Sequence, residues 1–411
     1  MDLLLHHRTF YGYNKHEVDV MSDKPWGTLV GVRPAKQLHK LLDQEMDYQT
    51  AFQKMHAETK ISPEKFALLW RVCQKERPIL AECSQRHLFS VYIGVPFCPT
   101  RCLYCSFPSH SLTELGALRN QFTECLLEEI AETGALTQEL GLQPYTVYFG
   151  GGTPTALNAA ELEKIILALR QAFPGSWREF TVEAGRPDTL TPEHLTVLSK
   201  YGVNRLSVNP QTMHQLTLDR IGRCHTPADI VQAVRAVRKA GIKVLNMDLI
   251  VGLPGENRQM VEESLRQVLD LKPENITLHV FSRKRASRYD KEQDSFPLPE
   301  AELVREMHAA AVAMLEAHGY QPYYLYRQRQ ILGGLENIGY ALPGCECVYN
   351  IAMIEERHHI LGLGGGATSK FIYPDFSLQN VSTPKDVRMY LERRTALVQR
   401  RAEELKNALN R

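Results

Sequence analysis

Residues 91–105 read Val91-Tyr92-Ile93-Gly94-Val95-Pro96-Phe97-Cys98-Pro99-Thr100-Arg101-Cys102-Leu103-Tyr104-Cys105. The run 91–95 has the composition of a strand, and the loop after it carries three cysteines at C-x3-C-x2-C spacing. The same alternation of strand and helix continues downstream. Further strands are predicted at 146–149, 179–183, 205–208, 243–250 and 276–281, and helices at 114–133, 160–171, 192–200, 227–240 and 258–270. Alternation of this kind implies βαβ units with right-handed crossovers and a parallel sheet. Six units predict an α/β fold of partial (β/α)6-type, TIM-like barrel form, whose working groups lie past the C-terminal ends of the strands.

The sequence places its chemistry there. The cysteine loop follows the first strand, and Gly150-Gly151-Gly152-Thr153-Pro154-Thr155 follows the second. Glu183 ends the third, Asn209 and Gln211 follow the fourth, and Asp248 and Gly252-Leu253-Pro254-Gly255 belong to the fifth. Outside this core, residues 1–85 read as a helical accessory region, with Pro34 opening one helix and a second over 62–75. The barrel core is assigned to 86–299. Residues 300–411 are assigned to a C-terminal α+β extension covering the substrate side, with helices at 300–318 and 384–408.

The 411 residues carry 48 Lys and Arg against 47 Asp and Glu, which argues against a polyanionic partner such as nucleic acid. The apolar run Leu3–Leu5 is too short for a signal peptide, and no stretch reaches the ~18–20 apolar residues of a membrane span. A cytoplasmic protein is expected. Nine cysteines are odd and sparse over this length, so a disulfide scaffold is disfavoured and thiols recruited to a metal are favoured.

Three close thiolates suit an iron–sulfur cluster with one coordination position left open. The alternative is structural zinc, with Cys345 or Cys347 as fourth ligand. The motif Cys98-x3-Cys102-x2-Cys105 after a first barrel strand resembles the radical S-adenosylmethionine (radical SAM) enzymes. The longer set Tyr92-Ile93-Gly94-Val95-Pro96-Phe97-Cys98, Gly150 to Thr155 and Asp248-Leu249-Ile250-Val251-Gly252-Leu253-Pro254 resembles the oxygen-independent coproporphyrinogen III oxidase family. Arg186-Pro187-Asp188 and Ser207-Val208-Asn209-Pro210-Gln211 look nearest to its HemZ-type coproporphyrinogen dehydrogenases. Trp26-Gly27-Thr28, Gly31-Val32-Arg33-Pro34 and Gly362 to Ser369 extend the likeness across most of the chain.

The resemblance implies that Cys98, Cys102 and Cys105 bind a [4Fe–4S] cluster whose fourth iron takes S-adenosylmethionine. It implies adenosylmethionine contacts from Tyr92, Tyr104, Gly151, Gly152, Thr153, Glu183, Gln211, Arg223 and Asp248. An ionised carboxylate such as Asp248 is a pure acceptor and suits ribose hydroxyls. The implied reaction is oxidative decarboxylation of coproporphyrinogen III propionates to vinyls through a 5′-deoxyadenosyl radical. A flavodoxin or ferredoxin is the implied electron donor.

The sequence also departs from the family. Phe107 stands where the well-established oxidases have a fourth cysteine, and Gly94 where they have a histidine. Both changes recur in haem-handling relatives. Gly366-Ala367-Thr368-Ser369 lacks the histidine of the haem-chaperone branch, leaving His358 and His359 as substitutes or as surface polarity. The alternatives are therefore a haem-binding chaperone or another radical SAM enzyme acting on a tetrapyrrole. Arg283, Lys284, Arg285, Arg288, Arg327 and Arg329 form either a propionate-binding mouth or a solvated face. Tyr323, Tyr324 and Tyr326 either stack on a macrocycle or pack the C-terminal layer, and Cys345-Glu346-Cys347 is a redox pair, a metal site or simply unpaired thiols.

Overall fold

A computed structural model describes residues 25–29, 31, 33–105, 110–284, 289 and 297–410. Phe107, Arg285, Arg288 and the 3–5 run lie outside these residues. The core is built on six parallel strands: β1 (Leu88–Val95), β2 (Gln143–Gly151), β3 (Glu179–Glu183), β4 (Arg205–Ser207), β5 (Val244–Val251) and β6 (Asn275–Val280). All six sit within a few residues of the expected positions. Their helices are α4 (Arg119–Glu139), α5 (Ala159–Ala172), α6 (Pro192–Lys200), α7 (Pro227–Lys239) and α8 (Arg258–Asp270). The sequence fixes where these helices begin. Asn158 with Glu161 and Thr226 with Asp229 form capping boxes on α5 and α7, and Pro192 and Pro227 occupy first-turn positions where no N–H is needed.

The helix expected over 114–133 is broken. A single turn over Leu112–Leu115 precedes α4, which then runs to Glu139. The N-terminal region holds three helices, α1 (Ala35–Leu42), α2 (Tyr48–Thr59) and α3 (Pro63–Cys83). The second was not expected, and the third continues through Pro78.

The C-terminal residues do not form a separate layer. They extend the sheet at both edges. Beyond β6 lie β8 (Asn337–Ala341) and then β7 (Gln321–Tyr326), both antiparallel additions that follow α9 (Ala301–Ala317). Beyond β1 lie β9 (His359–Gly364), parallel to β1, then β10 (Thr368–Ile372) and β11 (Leu378–Ser382). The eleven strands run β11-β10-β9-β1-β2-β3-β4-β5-β6-β8-β7, an open sheet in which the six-stranded partial barrel is embedded. Helices α10 (Val348–Glu355) and α11 (Val387–Asn410) complete the chain.

Val91, Ile93, Val147, Phe149, Val182, Leu206, Leu245 and Met247 are buried on these strands. Each such side chain contributes about 1.5–3 kcal/mol by leaving water. The β9 edge is pinned by a buried polar network. Glu129 on α4 accepts from the Gly364 amide (2.8 Å), the Tyr390 hydroxyl (2.6 Å) and Arg401 (2.6 Å), while Arg401 also donates to the Gly362 carbonyl (3.0 Å). The glycine-rich segment 362–366 is therefore a packing device. A Cβ on Gly364, whose φ is +83°, would lie 2.5 Å from the Gly94 carbonyl oxygen.

The N-terminal helices are tied to the C-terminal strands. The Trp26 indole N–H and Lys65 both reach the buried Glu336 carboxylate at 2.6 Å. Arg33 pairs with Glu356 at 2.8 Å.

Candidate active site

The rim at the C-terminal ends of β1 to β5 is cross-braced. Cys98 lies on a two-residue ladder with Ser111, and the amides of Gly152 and Thr153 donate back to the Val95 and Phe97 carbonyls, both at 2.7 Å. The Thr153 hydroxyl is 3.4 Å from the Cys98 sulfur. Gly151 has φ +101°, and a Cβ on Gly152 would collide with the Phe97 carbonyl. Glycine is thus required here by the crossing of two backbones, before any ligand is considered.

The middle of the loop is held from the other side. Leu103 donates to the Ile221 carbonyl at 2.9 Å, and Cys105 to the Cys102 carbonyl at 3.3 Å. Arg186, just past β3, is buried, and its Nη1 lies 3.6 Å from the Cys102 sulfur while Nη2 donates to Thr100 at 3.0 Å. Asp188 grips the same guanidinium through two contacts of 3.1 Å. Arg223 donates to the Tyr104 hydroxyl (3.0 Å) and the Gly185 carbonyl (2.8 Å), and so links the cysteine loop to the end of β3. Arg186 was read only as part of a motif. No spacing rule places it against a cysteine 84 positions away.

Below the rim lies a tyrosine layer. The Tyr92, Tyr148 and Tyr349 rings stack with centroids 4.4–6.0 Å apart. One level above, Gly94 and Gly150 pair in register, and Glu183, Ser207 and Asn246 pair across the next strands. A Cβ on Gly150 would meet Glu183 Oε2 at 3.1 Å and the Tyr92 hydroxyl at 3.0 Å. The glycine therefore leaves bare backbone beside the carboxylate.

Tyr148 donates its hydroxyl to Glu183. Burial and the nearby Asp248 charge nonetheless push Glu183 up to about 7. Asp248 behaves oppositely. Burial raises it, but His279 at 3.6 Å, with Asn246 and Thr277, holds it below the usual carboxylate range. The other imidazole nitrogen of His279 lies 3.2 Å from the Tyr326 hydroxyl.

Gln211 has φ +68°, a left-handed conformation that disfavours a side chain. Two backbone hydrogen bonds of 2.9 Å, to Asp248 and from Ile250, enforce it. Its buried Oε1 and the buried Nε of Arg223 have no hydrogen-bond partner among the described residues. Buried polar atoms normally do, so both mark places for a polar ligand.

The structure thus gathers the expected residues into two tiers. Cys98, Cys102, Cys105, Tyr104, Gly151, Gly152, Thr153 and Arg223 form the rim. Tyr92, Glu183, Gln211 and Asp248 lie beneath it, with Tyr148, Tyr349 and His279 as partners that sequence reading did not single out, and Tyr326, read as a macrocycle-stacking or packing residue, beside His279. The donor set fits an iron–sulfur cluster: three soft thiols on one braced loop, with unsatisfied polar atoms and open backbone beside them.

The weaker candidates fall away from this rim. Cys347 donates to Glu179 at 3.2 Å, at the opposite, N-terminal end of β3, and Glu179 also accepts from the Val348 and Tyr349 amides that begin α10. Neither Cys345 nor Cys347 closes a metal site with the loop. His358 and His359 are buried, and so are not surface polarity. His358 bridges Ser90 (2.8 Å) and the Cys83 carbonyl (2.6 Å), and burial lowers it to about 3. Arg327 turns to the Leu29 and Gly334 carbonyls and lies 5.3 Å from the Trp26 ring, so it is a structural residue and not part of a mouth. Lys284 is different. Burial holds its ammonium below the usual lysine range, and its electrostatic neighbours include the Cys105 sulfur and Lys385. Tyr323 and Tyr324 are packed in the interior.

Comparison with known proteins follows the same lines. The sequence model of the Radical SAM superfamily matches residues 92–268. The oxygen-independent coproporphyrinogen-III oxidase-like protein HemZ of Bacillus subtilis is 41% identical over 372 residues, covering 90% of this chain and 74% of its own. The haem chaperone HemW of Lactococcus lactis is 30% identical over 283 residues, covering 68% of this chain and 69% of its own. The solved structure of coproporphyrinogen III oxidase HemN from Escherichia coli, a radical SAM enzyme, superposes with a TM-score of 0.62 at 21% identity. That match covers 78% of this chain and 72% of the other, and shows the fold. No described helix is long and apolar enough to cross a membrane.

Proposed function

The chain belongs to the oxygen-independent coproporphyrinogen-III oxidase-like family of the radical SAM superfamily, and from that premise we propose that it oxidatively decarboxylates the propionates of coproporphyrinogen III to vinyls, giving protoporphyrinogen IX. The superfamily's cofactors, a [4Fe–4S] cluster and S-adenosylmethionine, serve this chain. When bound and reduced, these cofactors would supply the radical chemistry needed to remove hydrogen from an unactivated propionate carbon.

The chain's own residues bind and orient. Cys98, Cys102 and Cys105 would hold the cluster through their thiolates. Thr153 and Arg186 set the rotamers of Cys98 and Cys102, and the Arg186 N–H softens charge on the Cys102 sulfur. Arg223 fixes Tyr104 over the loop. Glu183, Gln211 and Asp248 receive the polar groups of S-adenosylmethionine, with Gly150 giving the clearance. Tyr92, Tyr148 and Tyr349 floor the site and keep water from it. Lys284, an electrostatic neighbour of Cys105, is a candidate partner for a propionate.

The observation that carries the reading is the match to HemZ over nine-tenths of the chain, together with the assembled two-tier site. Anaerobic incubation with reconstituted cluster, reductant and coproporphyrinogen III tests it, with products analysed by mass. Formation of 5′-deoxyadenosine with the porphyrinogen unchanged would sink the substrate assignment. Flavodoxin or ferredoxin is the proposed donor.

A second reading, haem handling, is favoured by Gly94. A Cβ there would lie 2.6 Å from the Gly365 carbonyl, so the histidine of the established oxidases has no room. Thr368 argues against it. Its hydroxyl is bound to Ser382 at 2.9 Å across the β10–β11 pair, and it offers iron no ligand. Absence of a stoichiometric haem spectrum on titration separates the two readings.

A further inference from the structure

Away from the cysteine rim, where the N-terminal helices meet α10, four chemically matched side chains converge in the interior. His39 on α1, Cys73 and Glu76 on α3 and Glu355 at the end of α10 are all fully buried. Cys73 and Glu76 stand three residues apart and share one helix face. One donor atom each from His39, Cys73 and Glu76 lies within 4.8 Å of the others. His39 Nε2 is 2.8 Å from Glu76 Oε2 and 3.7 Å from Glu355 Oε2. Tetrahedral zinc, with bonds of about 2.0–2.3 Å, spaces its ligands by about 3.3–3.7 Å; the His39–Glu355 pair stands at that spacing, and the His39–Glu76 hydrogen bond would open to admit the ion.

Hydrogen bonding accounts for the cluster only in part: His39 Nε2 and Glu76 Oε2 make one hydrogen bond, and the other carboxylate oxygens are left over. Both Glu355 oxygens and Glu76 Oε1 are buried and have no hydrogen-bond partner among the described residues. A buried, unsatisfied carboxylate aimed at an imidazole is costly unless something binds it. Among the described residues the Cys73 thiol makes a single long hydrogen-bond contact, 3.9 Å, to the Ala35 carbonyl. Beside the cluster, a cavity of about 490 Å³ lined by His39, Asp43, Arg77 and Arg357 provides a route inward.

We propose that His39, Cys73, Glu76 and Glu355 form a second, structural metal site that takes a zinc ion. One nitrogen, one sulfur and carboxylate oxygens are a zinc-type donor set, whereas magnesium and calcium sites are built from oxygen alone. With Cys73, Glu76 and Glu355 ionised, zinc leaves one net negative charge, and Arg77 and Arg357 line the adjoining cavity. The ion would clamp two N-terminal helices to α10, whose first residues Glu179 anchors to β3. The site is independent of the chemistry proposed for the rim.

The test is the zinc content and zinc-edge X-ray absorption of the cluster-loaded protein, produced with zinc and desalted. The zinc edge reads that element apart from the cluster's iron. About one zinc per chain, with one sulfur and the rest nitrogen or oxygen in its shell, is expected. His39→Gln and Cys73→Ser should each lose most of the zinc while iron stays at the wild-type level, and Glu355→Gln should weaken zinc affinity by tenfold or more. Wild-type protein with under a tenth of a zinc per chain would overturn the proposal, as would a shell of three or four sulfurs, or zinc retained in both His39→Gln and Cys73→Ser. Should a variant not fold, the wild-type spectrum decides alone.

Discussion

Glu183→Gln pulls ligand affinity and stability in opposite directions, and both magnitudes follow from the structure. In the protein without S-adenosylmethionine, burial and the neighbouring Asp248 bring Glu183 to about 7. The ligand is cationic at its sulfonium and amino groups and so selects the carboxylate. The apparent Kd then scales as one plus the ratio of protonated to ionised Glu183, about 11 at pH 6 and about 1.1 at pH 8, for a pKa of about 7. Wild-type binding should therefore weaken about tenfold from pH 8 to pH 6. The glutamine variant should bind more weakly at pH 8 and show a flat profile over this range.

The stability effect has the reverse sign. A carboxyl whose folded pKa is raised keeps its proton where the unfolded chain has lost it. The cost to the folded state thus develops as pH rises from 4.5 to about 7 and is complete above that. At about 1.36 kcal/mol per unit this comes to roughly 3–4 kcal/mol. Glu183→Gln should stabilise the ligand-free protein by up to about 3–4 kcal/mol at pH 8 and by little at pH 4. Anaerobic equilibrium binding and urea unfolding at the two pH values read both effects. A wild-type Kd that does not change between pH 6 and 8, or an unchanged slope in the variant, would refute the role given to this carboxylate.

Other consequences can be checked by substitution. Serine at Cys98, Cys102 or Cys105 should abolish the reducible cluster. Cys345→Ser and Cys347→Ala should keep its iron and absorbance, the latter at a cost of about 1 kcal/mol from the lost Glu179 contact. Arg186→Met removes an N–H aimed at the Cys102 sulfur and should lower the cluster potential by about 40 mV, for a bond worth about 1 kcal/mol more to the reduced state. An EPR-monitored redox titration that finds no shift would remove Arg186 from the site. Gly94→His should cost about 1–3 kcal/mol through contact with the Gly365 carbonyl, seen as a lower unfolding midpoint without any gain in turnover.

Much of this architecture was legible because its signals are local. Strand composition placed β1 to β6 to within a few residues, and amphipathic spacing placed the helices between them. The cysteine loop, the glycines after β2 and the carboxylate ending β3 lie in one sequence register, so the rule that barrel chemistry follows strand ends located them together. What was hidden is non-local. The C-terminal residues extend the sheet at both edges because β9 pairs with β1 across 270 positions, which no short-range period encodes. Arg186 was named only within a motif and Arg223 only through the resemblance; that they reach Cys102 and Tyr104 follows from the fold. His358 and His359 look like polar surface and are core, since Ser90 and the Cys83 carbonyl satisfy the first of them. Arg327 was grouped with a basic mouth by sequence proximity, yet its guanidinium is spent on the Leu29 and Gly334 carbonyls.

The central claim is that the rim directs hydrogen abstraction to a propionate side chain of a porphyrinogen. Coproporphyrinogen III deuterated at the propionate β-carbons, incubated anaerobically with the reduced, cluster-loaded protein and S-adenosylmethionine, tests it most directly. The account predicts 5′-deoxyadenosine carrying deuterium, with one CO2 released for each labelled molecule formed. Unlabelled 5′-deoxyadenosine alongside intact substrate would contradict it.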